Sequence, residues 1–298
     1  MSAGLILENV SKTFAGKKAV DGISFALDKP GVFGLLGTNG AGKTTTIRML
    51  LGIIKKDSGE ITWNGKKVDR KSVNFGYLPE ERGVYPKVKI YDQLMYFAEL
   101  KGMKKQEADS AISTWAKKLK VEEYMQMPAE KLSKGNQQKI QFMTAVIHNP
   151  ELVVLDEPFS GLDPVNTELL KNIIIDLVKE EKYVIMSAHQ MSTIEEFCSD
   201  ILILNKGKTV LQGNLREIKD QYPANRVQIE ANESITENIA NLGLEIENEK
   251  NNEYTIKIDN EEQAHNLLNE LVKDGKTINK FEITKPTLND IFIEKVGE

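Results

Sequence analysis

The sequence predicts an α/β protein built on a parallel sheet, followed by a small α+β domain. In the first part of the chain, short apolar runs are each followed by a segment of helical periodicity, as in βαβ units. From Tyr222 onward the periodicities follow the order β-α-β-β-α-β with one further helix, which is the ferredoxin-like order. We therefore expect a first domain over residues 1–221 and an accessory domain over residues 222–298.

The strands of the first domain are predicted from apolar runs of strand length. Val32–Leu36 ends in a glycine-rich turn before an apolar helical segment that begins near Ile47, the pattern of strand, loop and helix. The other predicted strands are Leu5–Leu7, Ile23–Leu27, Leu152–Leu155 and Val184–Met186. The last two are followed by helical segments, so we expect them to be central and buried.

A helical insertion interrupts this alternation. Between Tyr91 and Glu130 the apolar residues are spaced as in amphipathic helices, and no strand pattern lies between them. We expect a helical subdomain over about residues 88–148.

The accessory domain shows alternating and helical periodicities in turn. The predicted elements are a strand at Val227 and Ile229, a helix over 235–242, strands at 244–246 and 254–258, a helix over 264–272, and a strand at Phe281 and Ile283. Thr287 and Asp290 are spaced as a capping box that begins the final helix. The ferredoxin-like arrangement serves many functions, so it predicts shape and not activity.

Composition and charge restrict the class of protein. The chain has 298 residues, of which 40% are hydrophobic and 28% charged, as in soluble globular proteins. The single cysteine, Cys198, excludes an internal disulfide and is expected to be a buried structural thiol in a reducing compartment. No apolar run approaches the roughly 20 residues of a transmembrane helix, and Glu8 interrupts the beginning of the chain too early for a signal peptide. These features predict a cytoplasmic protein.

The net charge of -5 is unevenly distributed. From Tyr222 onward there are 8 basic and 16 acidic residues, whereas the preceding part has 31 basic and 28 acidic residues. An acidic domain is repelled by phosphate backbones, so we expect no nucleic-acid partner.

One segment matches the phosphate-binding motif G-x-x-x-x-G-K-[ST] between a predicted strand and a predicted helix. The predicted nucleotide-binding residues are Gly37, Thr38, Asn39, Gly40, Ala41, Gly42, Lys43, Thr44 and the adjacent Thr45. Glycines let backbone N–H groups surround a phosphate, Lys43 reaches the β- and γ-phosphates, and the Thr44 hydroxyl binds magnesium. The alternative is a glycine-rich turn with a chance lysine. We expect ATP with Mg²⁺ as the ligand.

Two adjacent carboxylates, Asp156 and Glu157, follow the apolar strand at Leu152–Leu155. Ligands of such folds bind at the carboxyl ends of the strands. Asp156 is therefore expected to hold magnesium, and Glu157 to polarise the water that attacks the γ-phosphorus. Without a phosphate loop, two acids that cap a turn would be the better interpretation.

A second glycine-containing segment precedes a helical pattern. It consists of Ser133, Lys134, Gly135 and Asn136. A helix start of this kind can bind an anion, but taken alone an N-capping serine is the simpler interpretation.

The order of these motifs resembles the nucleotide-binding subunit of ABC transporters over nearly all of residues 1–220. The phosphate loop is followed by the Ser133 segment, by Asp156-Glu157-Pro158, by Ser160-Gly161-Leu162-Asp163, and by His189. The resemblance implies a P-loop ABC ATPase fold with a mixed sheet core. It also implies that Phe14 stacks on adenine, that Asp163 contacts a partner subunit and that His189 contacts the γ-phosphate.

The resemblance further implies a mechanism and partners. Two copies would bind ATP between the phosphate loop of one and the Ser133 segment of the other. Hydrolysis would let this homodimer reopen, and a transmembrane permease would convert the opening and closing into transport. The chain would then lie on the inner face of the cell membrane. The segment Leu78–Gly83, the Lys134-Gly135-Asn136 variant and the small C-terminal domain resemble exporters of the sodium-extrusion and multidrug-efflux group.

Three positions depart from the family pattern. Thr38 stands where proline is common, and Lys134-Gly135-Asn136 stands where Gly-Gly-Gln is usual. Glu80 replaces the glutamine that normally joins the magnesium site to the membrane partner, and its carboxylate still offers oxygen to a metal. The alternatives are a soluble ABC-type ATPase that acts without a permease and a regulatory module that nucleotide switches without useful turnover.

Overall fold

The computed structural model describes residues 4–68, 73–81, 83–189, 191–196 and 198–297. The chain divides into two compact units, one up to Gly213 and one from Asn214. The division precedes the helix at Leu215–Asp220, whereas the sequence-based boundary at residues 221 and 222 follows it. The sequence-based boundary follows the change to an acidic composition, and this change begins only after the helix.

The first unit contains an antiparallel sheet and a larger, mainly parallel sheet. The antiparallel sheet consists of β1 (Leu5–Phe14), β2 (Lys17–Leu27), β4 (Ser58–Trp63) and β5 (Lys66–Lys67) in the order β2-β1-β4-β5. Its apolar side packs into a core with side chains such as Leu5, Ile23 and Trp63. The antiparallel sheet beside the mainly parallel one gives the mixed sheet core that the family resemblance implies.

The larger sheet has the order β10-β9-β3-β8-β7-β6. Its strands are β3 (Gly31–Gly37), β6 (Phe75–Leu78), β7 (Leu152–Asp156), β8 (Tyr183–Ala188), β9 (Asp200–Asn205) and β10 (Lys208–Asn214). The pairs β3–β8, β3–β9, β7–β8 and β6–β7 are parallel. Leu152 to Leu155 are fully buried, as expected of a central strand with both faces covered.

Helices cover the sheet and form the predicted insertion. They are α1 (Lys43–Leu50), α2 (Ile90–Leu100), α3 (Lys105–Leu119), α4 (Lys134–Val146), α5 (Pro164–Lys179) and α6 (Met191–Glu195), with short 3-10 turns at Glu122–Tyr124 and Ala129–Lys131. The described residues contain no strand between α2 and α4, as expected for the helical insertion. Cys198 is 6% exposed, and burial raises the pKa of its thiol, so the prediction of a buried cysteine is confirmed.

The second unit has the predicted ferredoxin-like order. Its elements are α7 (Leu215–Asp220), β11 (Arg226–Ala231), α8 (Thr236–Asn241), β12 (Glu245–Lys250), β13 (Glu253–Lys257), α9 (Glu261–Lys273), β14 (Ile278–Thr284) and α10 (Leu288–Gly297). The sheet order β12-β13-β11-β14 is antiparallel in every pair. Thr287 and Asp290 exchange capping hydrogen bonds at the start of α10, so the predicted capping box is confirmed.

Candidate nucleotide-binding site

The predicted phosphate loop joins the end of β3 to the start of α1, and two of its glycines are required by close backbone approaches. Gly37 and Gly42 have φ angles of 146° and 109°, in the left-handed region that favours glycine. A Cβ atom at Gly37 would lie 2.4 Å from the Leu204 carbonyl oxygen, and one at Gly42 would lie 2.6 Å from the Ala19 carbonyl oxygen. These glycines therefore let the loop lie directly against β9 and β2.

Lys43 occupies the first position of α1 with its ammonium group inside the loop. The side chain is 7% exposed, and Nζ donates a 2.7 Å hydrogen bond to the Gly37 carbonyl oxygen. A second carbonyl oxygen, that of Thr38, lies 3.4 Å from Nζ, and Oε1 of Glu157 lies 3.8 Å away. The loop thus holds a cation where an incoming phosphate would meet it.

A cleft of about 240 Å³ brings most of the predicted phosphate-binding residues together. Its lining residues are Ala19, Thr38, Asn39, Gly40, Ala41, Gly42, Lys43, Thr44, Thr45, Glu80 and Glu157. Glu80 follows β6 and Glu157 follows β7, so neighbouring parallel strands deliver both carboxylates to the same edge of the sheet. The cleft is smaller than the roughly 300–1,000 Å³ of typical ligand pockets. It can hold a phosphate group more readily than a whole nucleotide.

Asp156 and Glu157 are connected through the hydroxyl of Ser187. The Ser187 hydroxyl donates to Oδ1 of Asp156 at 2.5 Å and accepts from the backbone N–H of Glu157 at 3.1 Å. Ser187 is fully buried on β8, the strand beside β7. No role was assigned to Ser187 from the sequence, although a serine beside His189 at the end of an apolar strand was a usable signal.

Glu157 is also contacted by His189, which follows β8. Nδ1 of His189 lies 2.9 Å from Oε2 of Glu157. Burial raises the pKa of Glu157, and His189 and Lys43 oppose this shift. The backbone of Glu157 has a φ of 52°, an uncommon conformation for a residue with a side chain, and such conformations concentrate at functional sites.

The chemistry of Asp156 suits a bound cation. Its Oδ2 atom is buried and has no hydrogen-bond partner among the described residues. A buried carboxylate oxygen without a protein donor is normally satisfied by a water molecule or an ion. Thr44 and Glu80, the other predicted magnesium ligands, both line the cleft. The described residues contain no cluster of three His, Cys, Asp or Glu side chains suited to a metal, so phosphate oxygens and water would complete a Mg²⁺ site.

The Ser133 segment and Asp163 lie at helix starts and do not line this cleft. Oγ of Ser133 accepts a 3.3 Å hydrogen bond from the N–H of Asn136 and so caps α4. Asp163 caps α5 through a 2.9 Å hydrogen bond from the N–H of Asn166. The N-capping interpretation of Ser133 therefore holds within one chain, and a role of this segment in binding an anion stays a prediction.

Phe14 is likewise separate from the residues that line the cleft. Its ring is 47% exposed at the end of β1, and the Lys12 ammonium lies 5.3 Å from the ring centroid. An exposed aromatic face is available for stacking. Its role with adenine remains a prediction.

The parallel sheet, the phosphate loop on β3 and α1, and the carboxylates after β7 define an ATP-binding subunit of the ABC type. The family model for ABC transporters matches residues 20–160, and the model for the C-terminal domain of DrrA1-3-like ATP-binding proteins matches residues 213–296. An uncharacterized ABC transporter ATP-binding protein of Bacillus subtilis, YhaQ, is 47% identical over 98% of both chains. The chain belongs to the family of ABC transporter ATP-binding proteins.

Two further similarities extend this finding. The linearmycin resistance ATP-binding protein LnrL of Bacillus subtilis is 29% identical over 97% of both chains. A solved structure of the ATP-binding subunit of an ABC transporter aligns with a TM-score of 0.68 at 26% identity, covering 74% of this chain and 93% of that chain. The predicted family and fold are confirmed.

Family membership establishes the basic activity. The chain is an ATPase that binds ATP, and ATP-binding subunits of this family work with transmembrane partners. In the part of the chain that the structure describes, no helix is long and apolar enough to cross a membrane.

Proposed function

We propose that this chain energises export by a membrane permease, through ATP-driven closing and reopening of a homodimer on the cytoplasmic face of the membrane. The observation that carries the proposal is the separation of two halves of a nucleotide site. The phosphate loop, Glu80 and Glu157 line one cleft, whereas the capped start of α4 at Ser133 lies outside it. A second copy can supply the missing half.

The phosphate loop would bind the triphosphate of ATP. Backbone N–H groups of the loop and of the start of α1 would bind the phosphates. The Lys43 ammonium, which now donates to the carbonyl oxygens of Gly37 and Thr38, would exchange these partners for phosphate oxygens. Thr44, Asp156 and Glu80 would hold Mg²⁺. When bound, this ion neutralises charge that develops on the β- and γ-phosphates.

Glu157 is the proposed general base. Ser187 fixes the backbone of Glu157 and the carboxylate of Asp156 at once. The burial that raises the pKa of Glu157 increases its affinity for the proton that the attacking water loses. His189 holds the other side of the carboxylate and is half exposed, so it can also meet the γ-phosphate from the opening of the site.

Complementation between two inactive variants tests the shared site. Lys43→Ala disables the phosphate loop, and Ser133→Arg disables the segment offered to the partner. In a mixed dimer, the chain with Ser133→Arg still has Lys43, and its partner still has Ser133, so one of the two sites is intact. We expect each variant alone to lose ATPase activity and the mixture to recover it.

A matched mixture provides the control. Lys43→Ala and Glu157→Gln both disable the half-site that holds the phosphate loop, so their mixed dimer contains no intact site. This mixture should stay inactive. Recovery in neither mixture would show that each chain builds its site alone, and that result would overturn the proposed dimer.

The permease would dock on an exposed apolar surface of the helical insertion. The apolar surface consists of Tyr85, Val88, Tyr96, Leu100 and Met127, which are 40–68% exposed. Tyr85 and Tyr96 both pack against Phe97, so the aromatic side chains are held in place. Large apolar groups gathered on one surface indicate a partner. The surface begins five residues after Glu80, so a partner docked there would lie close in sequence to a residue of the cleft.

Copurification tests this surface and the partner. Leu100→Asp introduces a charge at the most exposed of the five side chains, and we expect it to abolish copurification of a membrane protein while the chain keeps its own ATPase activity. Val272→Asp, on an exposed residue of α9, is the matched control and should retain the partner. Equal copurification with both variants would place docking elsewhere.

The direction of transport rests on similarity. The match of residues 213–296 to the DrrA1-3-like domain and the full-length similarity to a linearmycin resistance ATP-binding protein support an exporter. In inside-out vesicles that contain the chain and its permease, the ATPase faces the external medium, so an exporter should accumulate solute in the vesicle lumen on addition of ATP. Loss of preloaded solute from the lumen would contradict this direction.

A further inference from the structure

Two buried glutamines of α4 contact the loops that carry the acidic residues of the cleft. Gln138 and Gln141 are each 4% exposed and lie one turn apart on the same helix face. Nε2 of Gln141 donates to the carbonyl oxygens of Pro79 at 3.2 Å and Glu81 at 2.9 Å. These are the two residues that flank Glu80. One side chain therefore fixes the backbone on both sides of this carboxylate.

Gln138 makes the corresponding contact to the other loop. Its Nε2 atom donates a 3.1 Å hydrogen bond to the carbonyl oxygen of Pro158, the residue after Glu157. The same helix thus contacts both loops. The helix begins at Lys134, directly after Ser133, the residue that caps it.

The helix is pressed directly onto the strand that leads to Glu80. Gly76 lies on β6, and a Cβ atom at this position would lie 2.1 Å from the carbonyl oxygen of Ala145 on α4. No side chain separates the two backbones at this point. A displacement of α4 therefore has to move β6 or break the contact, because packed interiors deform little.

We propose that Gln141 is a positioning residue that holds Glu80 in place to bind magnesium. Gln138 is likewise a positioning residue, which holds the loop that carries Glu157. Through them the orientation of the helix start at Ser133 is linked to both carboxylates of the same chain. The link to Ser133 rests on the proposed function, whereas the positioning of Glu80 by Gln141 is a property of one chain.

The chemistry of Gln141 suits positioning and not direct catalysis. Its amide nitrogen is used by two carbonyl oxygens, and its Oε1 atom is buried with no partner in the described part of the chain. It does not line the cleft. Gln141 therefore acts on the nucleotide through Glu80.

A double-mutant cycle tests this role in the 298-residue chain. Gln141→Met keeps the length of the side chain and removes the donor. We expect it to raise the half-saturating Mg²⁺ concentration for ATP hydrolysis by about five- to tenfold, the effect of losing one or two hydrogen bonds. In a Glu80→Ala background the same substitution should cause no further change, because its effect requires Glu80.

A second readout does not depend on turnover. The affinity for a fluorescent ATP analogue is measured with Mg²⁺ and with EDTA. In the presence of Mg²⁺, Gln141→Met should weaken binding of the analogue by about five- to tenfold. In EDTA it should leave binding of the analogue unchanged. Gln141→Glu, which places an acceptor against two carbonyl oxygens, should reproduce the loss if Gln141→Met fails to fold.

Gln93→Met is the matched control. Gln93 is 3% exposed on α2, and its amide bonds to the backbone of Tyr85 and Val88, which lie outside the cleft. It should leave the Mg²⁺ dependence unchanged. Equal shifts from Gln141→Met with and without Glu80 would overturn the positioning role. If Glu80→Ala itself left the Mg²⁺ dependence unchanged, the proposed magnesium ligand would be at fault instead.

Discussion

Nδ1 of His189 lies 2.9 Å from Oε2 of Glu157, and this contact joins the carboxyl ends of two adjacent parallel strands. Oε1 of the same carboxylate faces the Lys43 ammonium at 3.8 Å. Glu157 is thus held between a cation of the phosphate loop and an imidazole that is half exposed. Its protonation state and its orientation are set by the same neighbours.

Replacing Glu157 with glutamine should abolish turnover without preventing ATP binding. The amide cannot accept the proton of the attacking water, and loss of a general base lowers rates by about 10²- to 10⁴-fold. In the proposed cycle the site closes on ATP and reopens on hydrolysis, so the variant should accumulate as a dimer in ATP. Single-turnover kinetics and size-exclusion chromatography measure both effects. A monomer in saturating ATP would contradict the dimer model.

The same substitution should change the pH dependence of stability. Burial raises the pKa of Glu157 in the folded chain, so its contribution to stability is present at low pH and is lost as the pH rises through the raised pKa. Nucleotide-free Glu157→Gln should therefore melt at a higher temperature than the parent chain at pH 8. The difference should shrink toward pH 4. A difference in melting temperature that does not change with pH would show that burial does not destabilise the ionised carboxylate.

ATP hydrolysis should depend more steeply on the Mg²⁺ concentration with Glu80 than with a glutamine at this position. A second carboxylate near the γ-phosphate adds negative charge that a bound cation offsets, so occupancy by Mg²⁺ matters more. Glu80→Gln should reduce the dependence of ATP hydrolysis on Mg²⁺ concentration. Titrations of the two proteins that superimpose would rule out this role.

Gly76→Ala should destabilise the first unit. The added methyl group would lie 2.1 Å from the Ala145 carbonyl oxygen, and relief requires α4 to move away from β6. Overpacking of this kind costs about 1–3 kcal/mol. Gly135→Ala is the control for stability, since its Cβ would lie 3.5 Å from Leu162, an ordinary contact. Urea unfolding of both variants measures the difference, and equal midpoints would disprove the close approach.

The sequence predicts the strands and the phosphate loop because their signals are local. The apolar run Leu152–Leu155 and the glycines at 37 and 42 determine their own surroundings. The roles of Ser187 and Gln141 depend on contacts between residues that are 31 and 60 or more positions apart, and no periodicity reports them. In the sequence, a glutamine that is buried in a helix cannot be distinguished from an exposed polar residue, because the loop that it contacts is far away along the chain.

The predicted boundary between the units illustrates the same limit. The acidic composition begins after Tyr222, but Asn214 already caps α7 through hydrogen bonds from the N–H groups of Arg216 and Glu217. Composition averages over many residues and therefore detects a boundary later than the cap does. The capping asparagine before Leu215 was the more accurate local signal for the beginning of this helix.

Because the thiol of Cys198 is buried, we expect the native chain not to react with the reagents used for site-directed labelling. The sulfur is buried in the first unit, and burial disfavours the thiolate that maleimides and spin-label reagents attack. Cysteines introduced on exposed positions can then be labelled without first removing the natural one. Distances between two labelled copies, measured with and without nucleotide, would then test the proposed opening and closing of the dimer directly.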